Sequence, residues 1–258
     1  MLAADRIGAG PPLLLLHGTT SSRRIWEPLI PSLAEDGTVI ALDLPGHGDS
    51  PPTSFTPPAW ALEVAGFLDE EGIERVAVVG HSAGGWTALE LAKLGRTQGV
   101  LALAPAGLWR RRSPLKTDLA LNANWRLGRL LGPGAATALR SPAVRSLSLR
   151  TISARPREIP ADVAIANARG AIATDSFPRH FAETRRLRFQ EGEGIDVPVK
   201  IIWGGRDRIA LPRKSREVDR LPGHAEVETW ADCGHMLMWD APERLLQSIR
   251  TMPRALTP

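Results

Sequence analysis

Residues 75–85 read RVAVVGHSAGG, and this stretch indicates how the chain folds. Its first five residues, apolar after Arg75, are typical of a strand buried on both faces, and the residues after position 83 have helical character. Between them, residues 80–84 match the pattern G-x-S-x-G, which in a strand-turn-helix setting holds its serine in a sharp, strained turn. Because the glycines let strand and helix approach closely, we expect the Ser82 hydroxyl to face a cleft at a helix N-terminus.

The rest of the chain alternates between short apolar runs and longer amphipathic stretches. Predicted strands cover residues 13–16, 38–42, 75–79, 100–103, 199–203 and 225–230. Predicted helices cover residues 25–34, 59–70, 83–93, 214–220 and 243–250. Such alternation is typical of parallel strands joined by crossover helices, so we predict an α/β fold with a mostly parallel sheet flanked by helices.

Residues 108–190 interrupt this alternation. They are rich in Arg, Ala and Leu, contain six prolines and show no clear strand pattern. An insertion after a strand of a parallel sheet lies over the carboxyl ends of the strands, where ligands bind. We therefore predict a core made of residues 1–107 and 191–258, and a helical cap made of residues 108–190.

The composition, with 43% hydrophobic and 23% charged residues, is that of a globular protein and excludes a disordered or fibrous one. The formal net charge is +4, and residues 108–190 concentrate the positive charge, with 16 Lys and Arg against 5 Asp and Glu. No basic motif interleaved with aromatic residues accompanies this excess. We interpret it as solvated helix faces and predict no nucleic-acid partner.

The sequence also argues against a membrane or secreted protein. The longest uncharged apolar-rich stretch, residues 100–109, is far shorter than the roughly 20 residues that span a bilayer. Asp5 stands where a secretory signal carries positive charge, and Cys233, the single cysteine, allows no intrachain disulfide. We predict a cytoplasmic protein without a membrane partner, and the sequence leaves the oligomeric state unknown.

A serine hydroxyl becomes a nucleophile when a base takes its proton, and a carboxylate must orient that base. Asp207 follows the predicted strand at 199–203, and His235 lies between the last predicted strand and the last predicted helix. Asp207 could instead cap a turn, and His235 could be an ordinary surface histidine. The chain order Ser82, Asp207, His235 favours a catalytic triad over both alternatives.

An oxyanion hole needs two converging backbone N–H groups. We assign them to Ala83, which follows the nucleophile, and to Thr19, which follows an early strand, with Gly18 allowing close approach of substrate. We expect the adjacent His17 to be structural. Four apolar residues near these positions are further candidate substrate-binding residues, although core packing explains them equally well: Trp86, Leu108, Trp109 and Trp125.

Five separated stretches make the chain resemble the α/β-hydrolase superfamily, specifically its branch of small serine esterases, haloperoxidase-like enzymes and carbon–carbon hydrolases. They are LLLHG at 14–18, DLPGHGDS at 43–50, GHSAGG at 80–85, WGGRD at 203–207, and GHM with DAPE within 234–243. The resemblance implies a purely structural turn at 43–50 and substrate selection in the cap. It also implies that one early antiparallel strand is missing, because few residues precede the first buried strand.

No histidine spacing typical of a metal site and no glycine-rich phosphate-binding pattern occurs, so we predict neither metal nor cofactor. The favoured function is a serine esterase that cleaves a small-molecule carboxylic ester through an acyl-enzyme intermediate. Two alternatives stay open. The same triad could act on a carbon–carbon bond, a lactone or a peracid, or the protein could be a ligand-sensing relative with very slow turnover.

Overall fold

The structure is a computed structural model that describes residues 1–254, without the side chains of residues 115–117, 120, 124, 133 and 213. Within these residues, seven strands form one sheet in the order β1-β3-β2-β4-β5-β6-β7. The strands are Ala4–Ile7 (β1), Pro12–Leu16 (β2), Thr38–Leu42 (β3), Val76–His81 (β4), Thr97–Leu103 (β5), Val199–Gly204 (β6) and Glu226–Trp230 (β7). β1 is antiparallel to β3 and the other pairs are parallel, which confirms the predicted α/β class.

Helices cover the faces of this sheet. The α-helices are Ile30–Ala34 (α1), Pro57–Glu70 (α2), Ala83–Lys93 (α3), Leu115–Leu131 (α4), Pro142–Ser148 (α5), Ala161–Ala173 (α6), Phe177–Thr184 (α7), Pro212–Ser215 (α8), Leu237–Asp240 (α9) and Pro242–Arg250 (α10), and 3₁₀ helices span Arg23–Trp26 and Pro133–Arg140. The four leucines at positions 13–16 have no exposed surface. Burial on both faces explains why the central strands are largely apolar in sequence.

Strand β1 was not predicted, because its sequence ADRI contains no apolar run and its last three residues are exposed at the sheet edge. The prediction of one continuous helix over residues 25–34 is wrong. The chain instead forms a 3₁₀ turn and the short helix α1, which begins at Ile30 with Pro31 in its first turn, because proline cannot continue a preceding helix. The predicted helix at 214–220 is also wrong, since α8 ends at Ser215 and Arg216 leaves the helical conformation.

Residues 108–190, hereafter the helical segment, contain α4 to α7 and the second 3₁₀ helix. Within the backbone that the structure describes, this segment has no strand. Helix α6 packs against α4 and against the 3₁₀ helix Arg23–Trp26 of the core. Among the described residues, no helix has the length and apolar character needed to cross a membrane.

The buried carboxylate of Asp240 joins the helical segment to the loop that carries His235. It accepts hydrogen bonds from Ser153 Oγ at 2.6 Å, from Ala154 N at 3.0 Å and from Gly234 N at 2.6 Å. Only 2% of Asp240 is exposed, so water cannot replace these partners. The position of this loop therefore depends on one acidic side chain.

Asp240→Ala should lower the free energy of unfolding by about 2–4 kcal/mol, because it leaves several buried donors unpaired. Urea denaturation followed by tryptophan fluorescence measures the change. The exposed neighbour Glu243 provides the control, and Glu243→Ala should unfold like the wild type. Equal stability of the Asp240 variant and the wild type would show that this carboxylate does not anchor the loop.

Candidate active site

Ser82 occupies a strained turn between β4 and α3. Its backbone has φ 52° and ψ −115°, a conformation that side-chain-bearing residues rarely adopt. A Cβ atom on Gly80 would lie 2.3 Å from the Gly84 carbonyl oxygen, and one on Gly84 would lie 2.4 Å from the His17 carbonyl oxygen. Both glycines of the motif are therefore required by the close approach of strand and helix.

Asp207 and His235 form a hydrogen-bonded pair. Asp207 Oδ2 accepts from His235 Nδ1 at 2.8 Å, and Asp207 Oδ1 accepts from the backbone N–H groups of Ile209 at 2.7 Å and Ala210 at 2.9 Å. Burial opposes ionisation of Asp207, but the His235 ring and the donated hydrogen bonds keep the pKa of this carboxyl below its usual value. The ionised carboxylate fixes the proton of His235 on Nδ1 and leaves Nε2 free to act as a base.

Ser82 and His235 line the same cavity, while Asp207 is buried behind the histidine. Within the described part of the chain, no hydrogen bond joins Ser82 Oγ directly to the His235 ring. Contacts of this kind often tighten only when substrate is bound. The structure thus brings the three predicted residues together, with the Asp–His half of the contact already formed.

His81 also belongs to this site, although sequence patterns did not identify it. Its Nε2–H donates to the His235 carbonyl oxygen at 3.1 Å, and the two rings lie 4.7 Å apart. Burial and the neighbouring His235 hold the pKa of His81 well below its ordinary value, so the ring is neutral. His81 therefore braces the backbone of the candidate base.

Thr19 and Ala83, the predicted oxyanion donors, both line the cavity beside Ser82, as does Gly18. Ala83 is the first residue of α3, where N–H groups have no acceptor within the helix. Neither the Thr19 nor the Ala83 N–H donates a hydrogen bond to any described residue. A Cβ atom on Gly18 would lie 3.0 Å from Ser82 Cβ, so glycine lets this loop approach the serine.

His17 and the turn at residues 43–50 support this loop without facing the cavity. His17 Nδ1–H donates to the Gly18 carbonyl oxygen at 2.8 Å, and His17 Nε2 accepts from the Leu44 N–H at 3.0 Å. The buried Asp43 carboxylate accepts from the backbone N–H groups of Arg23 and Asp49. The bonding capacity of His17 and Asp43 is used within the fold, which is how structural residues behave.

The cavity has a volume of about 410 Å³, and the predicted substrate-binding residues divide around it. Trp109 and Trp125 line it. Trp86 and Leu108 are fully buried behind its wall, where Trp86 Nε1 donates to Glu90 Oε1 at 2.8 Å. Trp86 also packs edge-on against Trp109, with ring centroids 5.6 Å apart. Core packing therefore accounts for Trp86 and Leu108.

The helical segment supplies lining residues that the sequence did not identify. Its contributions are largely apolar and include Leu121, Ala168, Ile172 and Phe181. Arg110, Arg111 and Arg112 are exposed and do not line the cavity, whereas Arg185 does. The Asp118 carboxylate lies 4.0 Å from the Arg185 guanidinium and offsets its charge.

Within the described residues, no group of three or more His, Cys, Asp or Glu is arranged to hold a metal ion.

The sequence profile of the alpha/beta hydrolase family matches residues 13–248. An uncharacterised protein of Mycobacterium tuberculosis is 28% identical over 94% of this chain and 75% of its own length. An epoxide hydrolase of the same organism is 33% identical over 70% of this chain and 87% of its own length.

Solved structures agree on the fold. An esterase from a Rhodococcus species superimposes with a TM-score of 0.74 over 98% of this chain and 95% of its own, at 21% sequence identity. An epoxide hydrolase superimposes with a TM-score of 0.73 over 97% and 94% of the two chains, at 23% identity. These relatives share an architecture and differ in the activity that their names give.

Asp207→Asn should reduce kcat for ester hydrolysis by about 10⁴-fold, the scale of the equivalent change in a serine protease, because the amide favours the wrong tautomer of His235. Initial rates with p-nitrophenyl butyrate measure the loss. The exposed Asp196 serves as the matched control, and Asp196→Asn should keep the wild-type rate. An Asp207→Asn protein with most of its activity would mean that another carboxylate orients the base.

The protein should lose stability as the pH falls below about 6.5. Burial lowers the pKa of His17 to about 4 and that of His47 to about 3, so both stay neutral in the folded chain while the unfolded chain takes up protons. Each such histidine lowers the free energy of unfolding by about 1.4 kcal/mol per pH unit between these limits. Urea denaturation from pH 7 to pH 4 tests this. The slope should be shallower in His47→Gln, and a level profile in the wild type would contradict the prediction.

Proposed function

This chain belongs to the alpha/beta hydrolase family, and we propose that within it the protein is a serine esterase that cleaves small carboxylic esters through an acyl-enzyme intermediate. One observation carries the proposal. One largely apolar cavity brings together the strained Ser82 turn, the His235–Asp207 pair and two backbone N–H groups that donate no hydrogen bond to a described residue. Nucleophile, base and oxyanion donors are the parts that acyl transfer requires.

In the first half of the proposed reaction, Ser82 Oγ attacks the ester carbonyl carbon and its proton passes to His235 Nε2. The carbonyl oxygen becomes an oxyanion, which accepts hydrogen bonds from the N–H groups of Thr19 and Ala83. Asp207 stabilises the imidazolium that forms. The carbonyl re-forms as the bond to the alcohol breaks, and the leaving alkoxide takes the proton from His235.

Water completes the cycle. It attacks the acyl group on Ser82 as His235 takes one of its protons, and the second tetrahedral intermediate uses the same two donors. Collapse of this intermediate releases the carboxylic acid and returns the proton to Ser82. The positive end of the α3 dipole, which begins at Ala83, favours both oxyanions.

Chemistry favours ester over epoxide hydrolysis, although one relative is named an epoxide hydrolase. Attack of a serine oxygen on an epoxide forms an ether, which water does not readily cleave, so the enzyme would be consumed. A carboxylate nucleophile instead forms an ester that water can hydrolyse. The residue in the strained turn is Ser82, whose acyl ester is readily hydrolysed.

We assign the helical segment the role of a cap that selects substrate, because its side chains form much of the cavity wall. The apolar lining favours esters with short to medium aliphatic acyl chains. Since Asp118 offsets the charge of Arg185, neutral esters should be preferred to carboxylated ones. A cytoplasmic location and the absence of nucleic-acid partners stay predictions from the sequence.

Ser82→Ala should abolish the covalent pathway and lower kcat by about 10⁶-fold, the scale of nucleophile removal in a serine protease. Hydrolysis of p-nitrophenyl butyrate, corrected for the uncatalysed rate, measures this loss. Ser248→Ala, on the exposed side of α10, is the matched control and should retain wild-type activity. Comparable rates for Ser82→Ala and the wild type would rule out Ser82 as the nucleophile.

A panel of p-nitrophenyl esters from acetate to decanoate tests the substrate class. We expect the highest kcat/KM at short to medium chain length, because the cavity is largely apolar and the helical segment forms part of its wall. Tight binding of these esters without turnover would instead support the ligand-sensing alternative. Turnover of a carbon–carbon or peracid substrate in preference to every ester would replace the esterase proposal.

A further inference from the structure

Two side chains of the helical segment reach the loop that contains Thr19. Thr19 Oγ1 lies 3.0 Å from His180 Nε2 of α7, and Ser21 Oγ donates to Asn167 Oδ1 of α6 at 2.7 Å. The partners are 161 and 146 positions apart in the sequence, so only the folded chain brings them together. The loop is thus tied to the helical segment at two points.

The direction of the Thr19–His180 hydrogen bond follows from the other side of the ring. His180 Nδ1 lies 2.7 Å from the Phe55 carbonyl oxygen, which can only accept, so Nδ1 carries the proton. Burial and the neighbouring His47 lower the pKa of His180 to about 3, and the neutral ring then has an acceptor at Nε2. The Thr19 hydroxyl therefore donates to His180.

The His180 ring is itself held firmly. It stacks on Trp60 with ring centroids 4.6 Å apart and an interplanar angle of 17°, and it is 3% exposed. The acceptor for the Thr19 hydroxyl consequently has a fixed position. A fixed acceptor restrains the side chain that it binds more tightly than a mobile one does.

The Thr19 loop needs such a restraint. Thr20 has a φ of 57°, a left-handed conformation that costs a β-branched residue energy. On the opposite side, a Cβ atom on Gly18 would lie 3.0 Å from Ser82 Cβ and from His81 Nδ1, so a side chain there would crowd both residues. The side chain and the N–H of Thr19 share one backbone unit, so holding the hydroxyl also sets the direction of the N–H.

We propose that His180 is a positioning residue for the oxyanion hole, which it completes from the helical segment by holding the Thr19 hydroxyl. This inference rests on the esterase proposed above. The oxyanion hole is then complete only when α7 is packed on the core. Movement of the helical segment to admit substrate would loosen the Thr19 donor, and its return would restore the donor around the bound ester.

Kinetics of His180→Ala, His180→Gln and Thr19→Val test the proposal. With p-nitrophenyl butyrate, His180→Ala and Thr19→Val should each lower kcat by about 10-fold with little change in KM, because a misplaced donor costs less than the 10²–10³-fold loss of a whole one. His180→Gln offers an amide oxygen in place of Nε2 and should recover much of the rate. In the double variant that combines His180→Ala with Thr19→Val, kcat should fall no further than in either single variant, since both substitutions remove the same hydrogen bond.

Ser176→Ala provides the matched control. Ser176 Oγ donates to the Gly46 carbonyl oxygen at 2.6 Å, which ties the start of α7 to the core without contacting the Thr19 loop. It should keep the wild-type kcat. An equal fall of kcat in Ser176→Ala and His180→Ala would overturn the proposal, because general loosening of α7 would then explain both.

Labelling by a fluorophosphonate separates this inference from the proposed function. The phosphoryl oxygen of the probe uses the same donors as the ester oxyanion, but labelling needs no turnover. The labelling rate should fall in parallel with kcat in His180→Ala and Thr19→Val. If the wild type is labelled but hydrolyses no ester, the esterase proposal fails while the labelling rates still decide the role of His180. Unchanged labelling rates in both variants would refute the positioning role of His180, and so would a wild-type protein that is not labelled.

Discussion

The close crossing of strand β4 and helix α3 at Ser82 is the constraint on which the rest of the site depends. Gly80 lets the end of β4 contact the backbone of α3, Gly84 lets α3 contact the backbone at the end of β2, and Ser82 lies between them with a positive φ of 52°. Strained turns persist only where the surrounding structure holds them. Here the holding structure is the central, fully buried part of the sheet, whose strands end at the same edge.

Parallel strands bring the remaining groups to that edge. The loop after β2 carries Thr19, the loop after β6 carries Asp207, and the loop after β7 carries His235. Each loop is fixed by buried polar contacts, such as those of His17, of the Asp207 carboxylate with backbone N–H groups, and of Asp240. The proposed catalytic arrangement thus arises from ordinary loops that a rigid sheet orders in space.

The sequence predicted the parts of this arrangement that local patterns determine. Uniformly apolar strands, the G-x-S-x-G turn and the order of Ser82, Asp207 and His235 are all legible along the chain. The polar edge strand β1 has no such pattern, and the break in the predicted helix at 25–34 depends on where its prolines fall. The cavity wall and the His180–Thr19 contact could not be predicted, because they depend on how helices of the segment turn toward a core distant in sequence.

The proposed mechanism requires that Ser82 carries a covalent acyl group during turnover. Peptide mapping by mass spectrometry tests this requirement after the protein is mixed with p-nitrophenyl acetate and quenched with acid during turnover. An acetyl group should be found on the peptide that contains Ser82, and fragmentation should assign it to that side chain. Turnover without an acyl group on Ser82, or with the acyl group on another residue, would rule out this mechanism.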